Sequence, residues 1–133
     1  MSELSRPQDP AKTIAFQGEL GAYSDLACRM SRPEMPTLPC RTFEDAFAAV
    51  RDGDAALAMI PIENSVAGRV ADIHHLLPEA DLHIVAEHFL PIEHHLLGRP
   101  GARLEDIKIV RSHAMALGQC RGFFKSHAAR AEF

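Results

Sequence analysis

The chain has 133 residues, enough for one modest domain or for one lobe and part of another. A hydrophobic share of 47% and a charged share of 24% are ordinary for a globular protein, and a net charge of −4 lacks the basic excess of a general nucleic-acid surface. No basic amphipathic stretch points to a membrane surface, so the expected partner is a small molecule or another protein, with no nucleic acid and no membrane.

Residues 1–12, MSELSRPQDPAK, lack the apolar core of a signal peptide and read as a disordered leader. Thr13 to Gln17 is a short apolar run that ends in the glycine loop GELGA, as a strand leaving into a loop does. The spacing of Leu26, Ala27 and Met30 predicts a helix over Tyr23 to Arg32, stopped by Pro33. Thr37 to Arg41 predicts a second strand, which Pro39 assigns to a sheet edge. Thr42 is expected to cap a second helix, with Asp45 at the capping-box position and Phe43, Ala46, Phe47 and Val50 on its apolar face. Asp52-Gly53-Asp54 ends it.

Ala55 to Ile62 predicts a third strand, and Val66 to Ala80 a third helix with Val66, Val70, Ile73 and Leu77 on one stripe. Strand and helix alternating in this way define an α/β lobe with a parallel sheet, over residues 13–81. From Leu82 to Gly98 the texture changes to a long extended segment with Pro91 in its middle. A short turn and a strand follow in LEDIKIVRS, then a helix in HAMALGQCRGFFKSHAA with Ala116, Cys120, Phe123 and Phe124 near one face. Residues 82–133 are therefore expected to hold a crossover segment and the start of a second α/β lobe, incomplete at Phe133.

Cys28, Cys40 and Cys120 are odd in number and widely spaced, which suits reduced thiols in the cytoplasm. The histidine pairs His74-His75 and His94-His95 are adjacent, so neither places two ligands on one helix face, and no metal is expected.

Ligands of parallel α/β sheets bind where strand ends meet helix starts, and two stretches fall there. GELGAYS lacks the Gly-Lys-Ser/Thr end of a nucleotide loop, but its backbone N–H groups suit a carboxylate. In IPIENSVAG, Glu63, Asn64 and Ser65 read either as a helix cap or as an anion grip at a helix start, with Gly68 allowing close approach or close packing. Ser112 and His113 have no evident acidic partner for a hydrolytic triad, and Ser112 is expected to cap the following helix near a ligand.

The segments FQGELGAYSDLA, AMIPIENSVAGRVADIHHLL, EHFLPIEHHLL and VRSHAMALGQCRGFF, in this order, resemble prephenate dehydratase, over nearly everything from Thr13 to Phe124. PIENS…G and SH…AL.QC..F are the specific parts. The resemblance implies a periplasmic-binding-protein-like (type II) architecture of two α/β lobes. The first would be a parallel-rich sheet with helices on both faces, with substrate held in the cleft between the lobes. It implies conversion of prephenate to phenylpyruvate in phenylalanine biosynthesis, by a carbon–oxygen lyase that needs no cofactor. The implied substrate-binding residues are Gly21, Ala22, Tyr23, Ser24, Asn64, Ser65, Gly68, Ser112 and His113, with Glu63 as an auxiliary catalytic group. The family's Thr-Arg-Phe motif, whose threonine is regarded as the proton donor, does not occur, and Arg41-Thr42-Phe43 has another order. The phenylalanine-sensing ACT domain is also absent from this sequence. Ala114 and Met115 stand where the family commonly has proline and glutamine. A non-catalytic lobe that captures a small carboxylate, or an inactive fragment, is the alternative. An incomplete second lobe would expose apolar surface and a strand edge, inviting association into a homo-oligomer.

Overall fold

The computed structural model describes residues 9–66 and 68–132. Residues 1–8 of the expected leader lie outside them, and its last residues form a 3-10 turn, Pro10–Lys12. The chain divides into two compact units: the first comprises residues up to Glu63 together with Arg69–Pro91, the second Asn64–Gly68 together with Ile92–Phe133.

The first unit is built around β1 (Ile14–Gln17), the middle strand of a three-stranded parallel sheet in the order β2-β1-β3. Its neighbours are β2 (Thr37–Cys40) and β3 (Leu57–Met59), with Ile14 level with Thr37 on one side and Leu57 on the other. Side chains alternate across a strand, so a middle strand covered on both faces must be apolar at every position. Ile14, Ala15 and Phe16 meet that demand, at 2%, 0% and 0% exposure. Ile14 and Phe16 pack with Cys28 of α1 (Tyr23–Ser31), and Ala15 packs with Leu38 and with Ala46 and Ala49 of α2 (Phe43–Arg51). The two helices thus cover opposite faces.

α2 starts as its sequence dictates. The Thr42 hydroxyl accepts from the Asp45 N–H at 3.1 Å, and the Asp45 carboxylate accepts from the Thr42 N–H at 3.3 Å. α1 departs from the expected face: Leu26 and Met30 are exposed, and the buried positions are Asp25 and Cys28. Pro39 lies in the edge strand. The carbonyls of Pro36 and Cys40 accept from Ile14 and Gly18 on the β1 side. By the alternation of a strand, Pro39 turns its nitrogen outward and costs the ladder nothing.

The third helix begins later than its sequence suggests. After β3 the chain makes a two-stranded ribbon, β4 (Glu63–Asn64) with β5 (Gly68–Arg69), and α3 runs only over Ala71–Glu79. Ile73 packs with Phe47 and Ala80, with Val70 and Leu77 partly buried beside it, whereas Val66 lies before the helix and is exposed. Residues 81–99 form neither helix nor strand, so the extended segment expected there makes no sheet pairing, and Ile84, Val85, Phe89 and Leu97 are exposed.

In the second unit, β6 (Ile109–Arg111) leads into α4 (Ala114–Gln119) and α5 (Arg121–Ser126), and β7 (Arg130–Glu132) returns parallel to β6. The expected single helix is broken at Cys120, whose φ of −94° and ψ of 17° leave the helical region. A returning strand was not expected. Arg111 faces Glu132 across the pair and bonds its carboxylate at 3.0 Å, with Arg130 on the other oxygen at 3.2 Å. No helix of the described residues is long and apolar enough to cross a membrane.

Replacing Phe16 by alanine should lower unfolding stability by about 3–5 kcal/mol through the cavity it leaves. Thr42→Ala should lower it by about 1 kcal/mol through the lost cap. Urea midpoints at constant slope distinguish the two.

Candidate functional site

The first group of expected residues lies between β1 and α1. Gly18 and Gly21 both take positive φ, 126° and 87°, and so turn the chain from the strand into the helix. Ala22 occupies the cap position of α1 but has no side-chain oxygen to cap with. Tyr23 and Ser24 open the helix and are half-buried.

The loop before the helix is instead tied down by a residue the sequence reading passed over. Asp25, at the third helical position, accepts from the Gly21 N–H at 2.8 Å, and its Oδ2 also meets Arg29 at 2.7 Å. Asp25 is only 1% exposed, and its Oδ1 has no hydrogen-bond partner from the protein. Burial works to raise its pKa. The Gly21 N–H, the nearby Thr37 hydroxyl and the Arg29 guanidinium outweigh that and hold it below the ordinary 3.8. Thr37 favours the ionised form without closing a hydrogen bond to Oδ1. The signal was present in the sequence, as an Asp–Arg pair one helical turn apart behind an uncapped alanine, but apolar spacing drew attention to Leu26 and Met30 instead.

Next to Asp25 on the buried face, the Cys28 thiol is pushed up to about 12 by burial and by the Asp25 charge. Cys40 is also raised, chiefly by burial. Both thiols stay protonated near neutrality and are poor nucleophiles.

The second group, Glu63 to Gly68, does not form a helix start. Glu63 and Asn64 form β4, and Ser65 and Val66 form the turn of the ribbon. The Asn64 side chain accepts from the Val66 N–H at 2.9 Å, closing an Asx turn. Asn64 and Ser65 therefore do not cap α3, whose cap is Val70 and makes no side-chain cap bond. A Cβ at Gly68 would meet no protein atom within 4 Å, so close packing within the protein does not require that glycine, whereas its φ of 81° favours one. Glu63 and Ser65 are exposed, Asn64 and Gly68 half-buried.

The third group opens α4. His113, not Ser112, is the cap: its Nδ1 accepts from the Met115 N–H at 3.3 Å, which leaves the proton of a neutral ring on Nε2. Ser112 donates its backbone N–H to the Glu132 carbonyl at 3.4 Å, and both residues are exposed. Gly21 to Ser24 and Glu63 belong to the first unit; Asn64, Ser65, Gly68, Ser112 and His113 belong to the second. An open apolar groove of about 440 Å³ in the second unit, lined by Leu117, Phe124, Ala131, Arg121 and Lys125 among others, includes none of these residues. Among the described residues no three His, Cys, Asp or Glu side chains gather within reach of a metal ion.

The prephenate dehydratase family model matches residues 14–133, and the chain belongs to that family. It is 60% identical, over 84% of its length and 40% of the relative's, to the bifunctional N-acyl-homoserine lactone acylase/prephenate dehydratase of Komagataeibacter europaeus. It is 48% identical to the chloroplastic arogenate dehydratase/prephenate dehydratase 1 of Arabidopsis thaliana, over 84% of this chain and 29% of that one. A solved structure described as GqqA, a novel type of quorum quenching acylases, superposes with a TM-score of 0.72 at 55% identity, covering 90% of this chain and 44% of that chain. The chain thus spans less than half the length of these relatives.

Because the folded Asp25 holds fewer protons than its unfolded counterpart, its stabilisation is complete above 3.8 and is lost as pH falls through its lowered value. Asp25→Asn should therefore be less stable than wild type near neutrality, and should show a shallower loss of stability on acidification. Urea midpoints measured across the acid range check this.

Proposed function

We propose that the chain forms part of a prephenate dehydratase, a lyase of aromatic amino-acid biosynthesis. The observation that carries the reading is the family match over residues 14–133. The periplasmic-binding-protein-like type II architecture belongs to the same proposal, with a first lobe at 13–81 and a second beginning in 82–133, as do a cytoplasmic location and association into a homo-oligomer.

In the reaction, the bond to the ring carboxylate breaks and carbon dioxide leaves. The bonding pair passes through the ring and expels the ring hydroxyl, which takes up a proton and departs as water. The protein must anchor the pyruvyl carboxylate, supply that proton and leave the ring carboxylate poorly solvated. No redox step or Lewis acid is needed, so the reading requires no cofactor.

The loop of Gly21, Ala22 and Tyr23, with Ser24, forms one wall for a carboxylate; the Gly21 N–H is held by Asp25 and the Ala22 N–H by the Glu19 carbonyl at 3.1 Å, so the Ser24 hydroxyl is the donor this wall supplies. Asn64 and Ser65 supply an amide and a hydroxyl on the ribbon, with Gly68 setting its turn. Ser112 and the Nε2–H of His113 supply further donors. Glu63 is the auxiliary group: as a carboxylate it would repel a dianion, so its role is to orient a neighbour or to relay a proton. The proton donor itself is unassigned, because no Thr-Arg-Phe occurs in the sequence.

The relative from Komagataeibacter europaeus and the solved structure favour a second reading, hydrolysis of an N-acyl-homoserine lactone at its amide bond. One experiment separates the two. Purified chain is incubated with prephenate, following phenylpyruvate against no-enzyme and acid-treated controls, and in parallel with an acyl-homoserine lactone, following release of the fatty acid. Phenylpyruvate formation above the spontaneous rate, reduced about tenfold or more by Asn64→Ala, supports the dehydratase. Fatty-acid release with no phenylpyruvate supports the acylase, and binding of prephenate with neither product supports a carboxylate-capturing lobe.

A further inference from the structure

We infer that the α4–α5 segment carries a proton-operated switch. The start of α4 is latched while the His113 ring is neutral and released when that ring takes a proton, whereas the far end at His127 holds in both states.

The two histidines meet their helices with opposite requirements. At the start of α4 the Met115 N–H can only donate, so the His113 Nδ1 that it meets at 3.3 Å must offer a lone pair. A protonated ring has none. It would set a second N–H against that of Met115 and place a positive charge at the positive end of the helix. At the end of α5 the Phe123 carbonyl can only accept, so the His127 Nδ1 at 3.0 Å must carry a hydrogen. A neutral ring can supply it, and a protonated ring always does. The His127 ring also stacks on that of Phe123, with centroids 4.2 Å apart and planes 15° apart, which places a positive charge over the π face. The Ser126 hydroxyl lies 3.2 and 3.1 Å from the Gly122 and Phe123 carbonyls and closes the same turn. A proton thus weakens one end of the segment and suits the other.

The charged groups of the elements around α4 are Arg111 on β6, Arg130 and Glu132 on β7, and Arg121 and Lys125 on α5. His94, with Glu93 beside it in the chain, bonds Gln119 at the last residue of α4. No carboxylate forms a salt bridge with His113 among the described residues, and Glu132 is held by Arg111 at 3.0 Å and Arg130 at 3.2 Å. A His113 cation therefore gains no counter-ion to offset the lost cap. Histidine changes charge between about pH 5 and pH 8, which sets the range of the switch. Its consequence for ligands rests on the donor roles given to Ser112 and His113 above. The cap keeps the proton of the neutral ring on Nε2, on the far side from the helix, beside a Ser112 whose N–H is tied to the Glu132 carbonyl.

The test records ring-nitrogen and backbone Cα shifts by NMR on the isotope-labelled chain, between about pH 8 and pH 5. The wild type is compared with His113→Asn, which keeps a capping oxygen that takes no proton, and with His113→Ala. The neutral rings should carry the proton on Nε2 in His113 and on Nδ1 in His127. As His113 is protonated, the ratio of helical to frayed first turn, read at Ala114 to Leu117, should fall about fivefold, as for loss of a typical cap. Phe123 to Ser126 should stay helical. His113→Asn should remain capped across the range, and His113→Ala should be frayed throughout. A neutral His113 protonated on Nδ1 would overturn the proposal, as would a first turn that ignores protonation or responds equally in His113→Asn. Equal loosening at Phe123 to Ser126 would overturn it too, since acid would then be unfolding the whole unit. If His113→Ala does not fold, His113→Asn decides. Prephenate titrations at the two ends of the range should show weaker binding at the acid end, and equal affinity overturns the link to that corner. If the wild type binds no prephenate at either end, the donor roles fall and the shifts still decide the switch.

Discussion

The first unit depends on a strand that has no solvent face. β1 lies between two parallel strands and under two helices, so Ile14, Ala15 and Phe16 must find apolar cover within the unit. The two faces are covered at different scales. On the α2 side the contacts are Ala15 with Ala46 and Ala49, small against small, which lets that helix approach closely. On the α1 side Phe16 fills the space beside Cys28. Once both helices are seated, the ends of β1 and β3 have nowhere to lead but into the loops that carry the candidate site.

The two loops solve the same local problem differently. After β1 the chain turns on glycines and enters a helix directly, with the loop tied to the helix by Asp25 on the Gly21 N–H. After β3 it closes a two-stranded ribbon through an Asx turn before α3 begins. The donors at the two sites therefore differ in kind. In the first the Gly21 and Ala22 amides are bonded within the loop and its helix, and the second carries an amide and a hydroxyl side chain on a turn.

The features that were legible in the sequence are those fixed by neighbours along the chain. The Thr42–Asp45 box, the glycine turn after β1 and the edge position of Pro39 all rest on contacts or restraints within a few residues. Asn64, Ser65 and Gly68 misled because caps and turns recruit the same residue types, and both uses satisfy the same backbone groups. The break at Cys120 lies between Gly118 and Gly122, two weak helix formers that apolar spacing does not weigh. β7 was invisible for another reason: it exists through pairing with β6, some twenty residues earlier, and through the Arg111–Glu132 ion pair. Asp25 was missed because a charged residue on a buried face contradicts the rule used to find that face.

Pro39 has an effect that reaches past its own strand. Its nitrogen points away from β1, so the outer side of β2 presents one donor fewer than a full ladder needs. β3, by contrast, contains no proline. The two flanks are therefore unlike: an incoming strand at β2 would meet a gap at Pro39, and no residue of β3 imposes one. A single imino acid thus protects one flank of the sheet against unwanted strand addition.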